Sequence, residues 1–183
     1  MPVLTKESLI KINLPIDLQM LIENYDCCEE LLEEMECRFF ETDEVHNLIS
    51  HSYLSDGDKK SKETMANVSA IDEVFKFITF VMEAIDGNLV GYWHGPEGAD
   101  VTKSPIVMYT TEGQFRILPG SNIVEALVGD YIFDEDDEFL EFQDQFKECG
   151  IDIVSKWDDL VEIELKTDPS KLHEELYSTN LKN

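Results

Sequence analysis

The fold is decided by the stretch SPIVMYTTEGQFRIL, residues 104–118, in the middle of the chain. Residues 106–110 and 115–118 are short runs of strand-forming residues, separated by Thr-Glu-Gly-Gln. This spacing predicts a β-hairpin with Gly113 in its turn, because glycine adopts positive φ without a steric penalty. A third strand is predicted over the glycine-bounded run at residues 89–93, followed by a Gly-Pro-Glu-Gly turn at residues 95–98.

Helical patterns lie on the N-terminal side of these strands. Apolar residues recur at three- and four-residue steps over residues 15–40, which predicts one long helix, and a short helix is expected over residues 43–51. The polar residues 55–61 predict an exposed loop. Ser69, with Asp72 three positions later, resembles a capping box, so a further helix is predicted from Ser69 to about residue 85.

Three helices and one strand are predicted on the C-terminal side of these strands. A short helix is expected over residues 123–128, and the acidic run at residues 134–138 leads into a second helix. Residues 160–165 alternate between apolar and polar, which predicts a half-buried strand. Its inward-facing residues are predicted to be Val161, Ile163 and Leu165. Asp168, followed by proline, predicts the start of a terminal helix.

The order of these elements indicates the fold class. Helices come first, a hairpin-bearing sheet lies in the middle, and helices return, which favours an α+β fold with an antiparallel or mixed sheet flanked by helices. No internal repeat or low-complexity linker divides the sequence, so residues 1–183 are predicted to form a single domain. Within it, residues 1–55 are predicted to be a helical N-terminal part and residues 131–183 a C-terminal helix-strand-helix.

The chain is strongly acidic. It has 40 Asp and Glu residues against 14 Lys and Arg residues, a formal net charge of -26. Such a surface repels nucleic-acid phosphates and anionic membranes, and no apolar run approaches the ~18 residues of a membrane span, so neither partner is expected. A basic protein partner is expected instead, with association accelerated by long-range attraction. The alternative is that the excess acid only aids solubility or reflects a salty cytoplasm.

The spacing of the four cysteines predicts that they are reduced thiols in a cytoplasmic protein. Cys27, Cys28 and Cys37 are close in sequence whereas Cys149 is distant, and no pair shows CxxC spacing. The N-terminal residues lack the long apolar region of a secretory signal. The expected location is therefore the cytoplasm, where thiols are kept reduced.

The sequence contains no motif for catalysis, cofactor binding or metal binding. It has no GxGxxG, Walker or GxSxG motif, and the turn at residues 95–98 is too short to cradle phosphates. The four histidines lack metal-ligand spacing. The run at residues 134–138 is followed by Phe139 where a calcium loop needs glycine. We therefore expect a protein without catalytic residues, cofactor or metal, which is not an enzyme.

The candidate partner-binding residues are acidic positions outside the strands and two adjacent aromatic residues. The acidic candidates are Glu97, Asp100, Glu112, Asp134, Asp136 and Asp137. Each is alternatively a solvated charge, and the acids at residues 134–138 also complement the dipole of the helix that they precede. Tyr92 and Trp93 point to opposite faces of a strand, so one is expected to be buried and the other available for contact. Simple core packing of these aromatic residues is nevertheless the favoured interpretation.

Four motifs in the central region carry a resemblance to a known family. They are Gly-Tyr-Trp-His-Gly at residues 91–95, Ser-Pro-Ile-Val-Met-Tyr-Thr-Thr-Glu-Gly at 104–113, Phe-Arg-Ile-Leu at 115–118, and Ser-Asn-Ile-Val-Glu-Ala-Leu at 121–127. Together they resemble the second half of the SMI1/KNR4, or SUKH, superfamily, with its aromatic-glycine turn, proline-led strand, Glu-Gly hairpin and short helix. Ala126 stands where the family has an aromatic residue. The resemblance covers residues 65–130, a SUKH-like core.

The resemblance implies an α+β fold and a role in binding. Many bacterial members of the family are immunity proteins that neutralise toxins, often nucleases or deaminases, and eukaryotic members are regulatory interaction proteins. The favoured hypothesis is therefore an immunity protein for a basic, nuclease-like toxin, with an acidic concave face beside the sheet. The alternatives are a regulatory scaffold that contacts a non-toxin protein through its first helices, and an enzyme with an acidic active site.

Overall fold

The computed structural model describes residues 5–9, 14–41, 46–132 and 136–182. Its helices are α1 (Lys6–Leu9), α2 (Ile16–Glu23), α3 (Tyr25–Glu34), α4 (Asn47–Ser50), α5 (Lys62–Phe75), α6 (Ile123–Ile132), α7 (Asp136–Glu148) and α8 (Pro169–Asn180). Its strands are β1 (Arg38–Phe39), β2 (Ile78–Ala84), β3 (Asn88–Trp93), β4 (Ile106–Tyr109) and β5 (Phe115–Ile117). No helix within these ranges is long and apolar enough to cross a membrane.

The strands form one antiparallel sheet in the order β1-β2-β3-β4-β5. Strand β3 and the β4-β5 hairpin lie where the sequence predicts them, and Gly113 has the expected positive φ, 82°. A bulge in β2 lies between Phe80 and Met82, opposite Gly91. A Cβ atom at Gly91 would lie 2.3 Å from the carbonyl oxygen of Thr79, so the close approach of β2 and β3 requires glycine at this position.

Helices cover both faces of the sheet, which confirms the predicted α+β class. One face packs against α2, α3, α6 and α7, and the other packs against α5 and α8. Tyr92 belongs to the first core and Trp93 to the second, so the prediction that they occupy opposite faces is confirmed. The prediction that one of them is available at the surface is wrong. Their exposed fractions are 2% and 3%, because a sheet covered on both faces turns both faces into core.

The single helix predicted over residues 15–40 is two helices followed by a strand. The first break is at Asn24, whose side-chain Nδ2 donates to the carbonyl of Met20 at 2.9 Å. At the end of α3 the N–H of Glu36 donates to the Glu33 carbonyl and the N–H of Cys37 to the Leu32 carbonyl. This pair of bonds is a Schellman motif, which reverses the chain direction into β1.

The helix predicted from Ser69 to about residue 85 is wrong at both ends. Helix α5 begins earlier, where the Ser61 hydroxyl accepts the N–H of Thr64 at 3.2 Å, and Ser69 is an exposed residue within it. The helix ends at Phe75 and the chain continues as β2. A strand that is buried on both faces has a continuous apolar sequence, which fits a helical period equally well. The short helix predicted over residues 43–51 is α4, and residues 42–45 lie outside the described residues.

The C-terminal part contains the predicted helices but lacks the predicted strand. Helices α6, α7 and α8 are present, and Asp168 caps α8 by accepting the N–H of Lys171 at 3.0 Å. Residues 160–165 take part in no β-ladder of the described chain. Val161, predicted to face inward, is 53% exposed. Alternation alone does not make a strand, because a ladder also needs a neighbouring strand at hydrogen-bonding distance.

The structure also corrects the prediction that all four cysteines are reduced thiols. Cys27 and Cys149 form a disulfide that joins α3 to the C-terminal end of α7, with a Cα–Cα distance of 5.6 Å across 122 residues. Sequence spacing did not reveal this pair, because the two cysteines become neighbours only when the helices pack. Cys28 and Cys37 are free thiols, as predicted, and the structure places both in the core.

Candidate functional site

The predicted acidic residues do not come together in one place. Glu97 and Asp100 follow β3, whereas Glu112 lies in the β4-β5 turn at the opposite end of the sheet. Asp137 is exposed on the first turn of α7. Asp136 begins that helix, and Asp134 lies outside the described residues. Six-residue strands separate the two ends of a sheet by about 20 Å, so these carboxylates belong to at least two surfaces.

Glu97 and Asp100 are engaged in bonds within the chain. The Glu97 carboxylate accepts the Thr167 hydroxyl at 2.6 Å, and this hydrogen bond is the main reason that the pKa of Glu97 is lowered. Asp100 accepts the N–H of Thr102 at 3.0 Å, which is the main reason that the pKa of Asp100 is lowered. Asp100 therefore caps a local turn, whereas Glu97 joins the turn after β3 to the distant residue Thr167. Both carboxylates remain exposed.

Tyr92 and Trp93 tie the sheet to its helices and loops. The Tyr92 hydroxyl donates to Asp17 on α2 at 3.2 Å, and the same carboxylate oxygen accepts the N–H of Ile123 at 2.7 Å. Burial raises the pKa of Tyr92 well above its ordinary value. Trp93 Nε1 donates to the carbonyl of Thr167 at 3.0 Å. These contacts give the two aromatic residues roles inside the fold.

A different set of carboxylates converges on a groove of about 560 Å³ at the β1 edge of the sheet. We call it the acidic groove. Its walls are α3, the turn after α3, β1, and the turn between β2 and β3. Its six carboxylates belong to Glu29, Glu33, Glu36, Glu41, Glu83 and Asp86. The other lining residues are Tyr25, Cys37, Arg38, Ala84 and Gly87.

Local backbone geometry directs these side chains into the groove. Glu29 and Glu33 are four residues apart on α3 and therefore share one face of the helix. Glu36 occupies the left-handed position of the Schellman motif, with φ 53°, where glycine is usual. Asp86 in the β2-β3 turn is also left-handed, with φ 61°. Two carboxylates of the groove thus stand at positions that favour glycine or asparagine.

One of the six carboxylates is neutralised within the groove. Glu83 Oε1 accepts Arg38 Nη2 at 2.8 Å, and Glu83 Oε2 lies 3.6 Å from His46 Nε2. Glu33, Glu36, Glu41 and Asp86 form no ion pair or side-chain hydrogen bond with the described residues. The groove therefore keeps a surplus of exposed negative charge.

Tyr25 forms the aromatic part of the groove. Lys6 Nζ lies 3.4 Å from the centre of its ring, a cation–π contact that joins α1 to α3. Burial, followed by the charge of Glu29, raises the pKa of the Tyr25 hydroxyl. The hydroxyl therefore stays neutral and adds no charge of its own to the groove.

The thiol of Cys37, which lines the groove, is poorly suited to nucleophilic chemistry. Burial, assisted by the charges of Asp130 and Glu36, raises the pKa of the Cys37 thiol to about 12. At neutral pH this thiol is protonated and is a weak nucleophile. Within the described ranges no three His, Cys, Asp or Glu side chains are arranged to hold a metal ion.

The sequence analysis did not predict the acidic groove, although the sequence contains one pattern that points to it. The four-residue spacing of Glu29 and Glu33 marks an acidic helix face, and similar spacings occur elsewhere in so acidic a chain. The convergence depends on the pairing of Arg38 with Glu83 across β1 and β2, 45 positions apart. Of the predicted residues, Glu112 follows Thr111, whose N–H donates to Asn88 Oδ1 at the start of β3 at 2.9 Å.

Comparisons with known proteins add no relative to this picture. No family model, no curated protein and no solved structure matches the chain. The functional interpretation therefore depends on the geometry of the acidic groove and on the sequence resemblance to the SUKH superfamily.

Proposed function

We propose that this protein is a non-enzymatic binding protein that captures a basic protein partner at the acidic groove. In this proposal it acts as an immunity protein, and the partner is a basic, nuclease-like toxin domain whose activity is blocked by the complex. The observation that carries the proposal is the convergence of six carboxylates on one groove that contains a single guanidinium.

The charge distribution supports a basic partner. A net charge of -26 produces a long-range field that attracts cations and accelerates encounter. The groove supplies the local complement, because exposed carboxylates at its rim can pair with lysine or arginine side chains of a bound protein. Tyr25 lines the groove beside these charges, with the Lys6 ammonium over its ring.

The kind of partner follows from the same groove. Nucleic acid is disfavoured, because its phosphates carry the same sign of charge as the groove. A protein that binds nucleic acid has a basic surface for that purpose, and this surface is complementary to the acidic groove. A protein bound there would cover its own nucleic-acid site, which explains how binding alone inhibits a nuclease.

The proposal places the protein in the cytoplasm, where a toxin that attacks nucleic acid acts. The structure contains the Cys27–Cys149 disulfide, a bond that is uncommon under the reducing conditions of the cytoplasm. The pair is held close by helix packing and is able to close under oxidising conditions. The acidic groove includes neither cysteine, so the proposed binding does not require the disulfide.

The test compares two variants of equal charge in a pull-down from host lysate at low and moderate salt. The groove variant is Glu29→Gln, Glu33→Gln, Glu36→Gln and Asp86→Asn. The control variant removes four exposed carboxylates of α7 and α8 instead: Asp144→Asn, Glu148→Gln, Glu174→Gln and Glu175→Gln. We expect the wild type and the control to recover one basic protein in a salt-sensitive complex, and the groove variant to lose it.

The recovered protein then tests the immunity role. Its nuclease or other toxic activity should be inhibited by the wild type and by the control variant but not by the groove variant. Equal capture by the groove variant would contradict the assignment of the site. Recovery of a non-toxin assembly would favour the alternative function, a regulatory scaffold.

A further inference from the structure

A chain segment without regular structure runs beside the other edge of the sheet. Residues 160–166 follow a short 3-10 turn, Trp157–Asp159, and precede α8. Two hydrogen bonds join the β5 region to this part of the chain, one to the segment itself and one to the start of α8. The N–H of Gly120 donates to the Val161 carbonyl at 2.9 Å, and the Ser170 hydroxyl donates to the Phe115 carbonyl at 2.6 Å. It therefore runs antiparallel to β5 and is attached at both ends.

Between these attachments the edge of β5 is open. The bonds from Leu118 N–H to the Ile106 carbonyl and from Thr110 N–H to the Gln114 carbonyl fix which residues face β4. Because hydrogen-bonded pairs alternate along an antiparallel ladder, the N–H and C=O of Ile117 point away from β4. No described residue forms a hydrogen bond with these two groups.

A cleft of about 610 Å³ separates this open edge from the segment. We call it the β5 cleft. Its lining residues are Ile117, Leu118, Pro119, Trp157, Asp158, Leu160, Glu162 and Ile163. The volume lies within the usual range of binding clefts. Its lining combines apolar side chains with two carboxylates and contains no basic residue.

The far wall of the cleft is anchored to α6. Trp157 Nε1 donates to the Gly129 carbonyl at 2.9 Å. Leu160 packs directly on Gly129, where an added Cβ would lie 2.5 Å from Leu160 Cδ1. These contacts tie residues 157–160 to α6, and the β5 cleft lies between the segment and β5.

We propose that the β5 cleft binds an extended peptide of a partner protein as an added strand. The peptide pairs with the free N–H and C=O of Ile117, in the mode called β-augmentation. Its chemistry follows from the lining: apolar side chains pack between Ile117, Leu160 and Ile163, and alternating basic side chains approach Asp158 and Glu162. This inference goes beyond the proposed function, because it concerns the edge of the sheet opposite the acidic groove and holds for any partner with such a segment.

Two features of the β5 cleft favour a peptide as its occupant. An open strand edge offers backbone groups that pair with another backbone. The carboxylates of Asp158 and Glu162 repel acidic side chains and attract lysine or arginine side chains of a bound peptide.

The test uses a synthetic probe, the heptapeptide Lys-Val-Lys-Ile-Lys-Val-Lys with blocked ends, measured by isothermal titration calorimetry. Two variants of one residue are compared, Ile117→Pro and Ile117→Ala. Both remove the isoleucine side chain, but only proline removes the outward N–H. Proline is tolerated at an edge position whose N–H faces outward, and the ladder bonds to β4 are kept. We expect the proline variant to bind the probe at least tenfold more weakly than the alanine variant.

A second measurement needs no variant. In the free wild type the amide of Ile117 should exchange its hydrogen quickly, whereas those of Arg116 and Leu118, which face β4, should be protected. Saturating probe should slow exchange at Ile117 by at least tenfold. Absence of saturable binding to the wild type, equal affinity of the two variants, or unchanged exchange at Ile117 would each overturn the proposal. None of these results bears on capture at the acidic groove, so the two proposals fail independently.

Discussion

At the residue scale, backbone conformation and charge coincide in the acidic groove. Three described non-glycine residues have positive φ, namely Glu36, His51 and Asp86, and two of them line the groove. Left-handed backbone costs an ordinary residue about 1 kcal/mol or more relative to glycine. A glutamate or aspartate at such a position therefore lowers the stability of the folded protein, and a binding role would explain its presence there.

The first prediction concerns Glu36. Glu36→Gly should stabilise the protein against urea by about 1 kcal/mol relative to Glu36→Ala, because both remove the charge and only glycine relieves the left-handed strain. Urea unfolding followed by circular dichroism measures the difference. Equal midpoints for the glycine and alanine variants would show that the turn after α3 carries no such strain.

The second prediction concerns His94. Its Nε2 lies 2.7 Å from Thr79 Oγ1 and its Nδ1 lies 3.2 Å from Ser104 Oγ, which joins the β3-β4 connection to β2. Burial is the main reason that the pKa of His94 is lowered. The folded state thus keeps His94 neutral at a pH where the unfolded chain, with a histidine pKa of about 6.5, already binds a proton.

The contribution of neutral His94 to stability is fully present above the pKa of histidine in the unfolded chain. It is lost as the pH falls below that value toward the lower pKa of His94 in the folded protein. Between pH of about 7.5 and 5.5 the free energy of unfolding should therefore fall more steeply in the wild type than in His94→Gln. The pKa of His173 is also lowered by burial, but this residue is common to both proteins and cancels in the comparison. Parallel pH profiles would contradict the prediction.

At the scale of the elements, the disulfide is the feature with the largest expected effect on stability. It joins α3 to the end of α7 and closes a loop across 122 residues. The packing beneath it is apolar: α7 buries Phe139, Phe142 and Phe146 against the same core that contains α3. Reduction leaves this packing in place and restores the conformational freedom of the unfolded chain.

The third prediction is that reduction lowers the melting temperature by roughly 10 °C or more. A loop of this length corresponds to about 5 kcal/mol in the chain-entropy description, and each kcal/mol shifts the midpoint by about 2–4 °C in a chain of this size. Calorimetry with and without reductant measures the shift. Cys27→Ser should melt at one temperature in both buffers; a wild type that is equally insensitive would contradict the prediction.

The sequence predicts elements well where one signal dominates. The β4-β5 hairpin carries a glycine at the turn, and α8 carries an Asp-Pro start, and both are present. The predictions fail where tertiary contacts determine the secondary structure. Strand β2 is buried on both faces, and its continuous apolar residues were included in the predicted helix. Residues 160–165 alternate between apolar and polar but have no neighbouring strand to pair with. The acidic groove and the disulfide depend on contacts between distant elements, which residue spacing does not encode.

At the scale of the whole molecule, charge and the open edges of the sheet define two separate surfaces. The acidic groove lies at the β1 edge and the β5 cleft at the β5 edge, with the sheet between them. The net charge of -26 acts over the entire surface and sets the rate of encounter with cations. The groove determines where a basic partner docks. Changing one surface should therefore leave the other intact.

The association rate of the captured basic partner shows whether the acidic groove directs binding. It is measured by stopped-flow fluorescence between about 20 and 500 mM salt. At low salt the groove variant should associate about tenfold more slowly than the equally charged α7-α8 control, and its rate should depend less on salt. Identical rates and salt dependences for the two variants would contradict the account, because net charge alone would then explain the attraction and the acidic groove would have no part in binding.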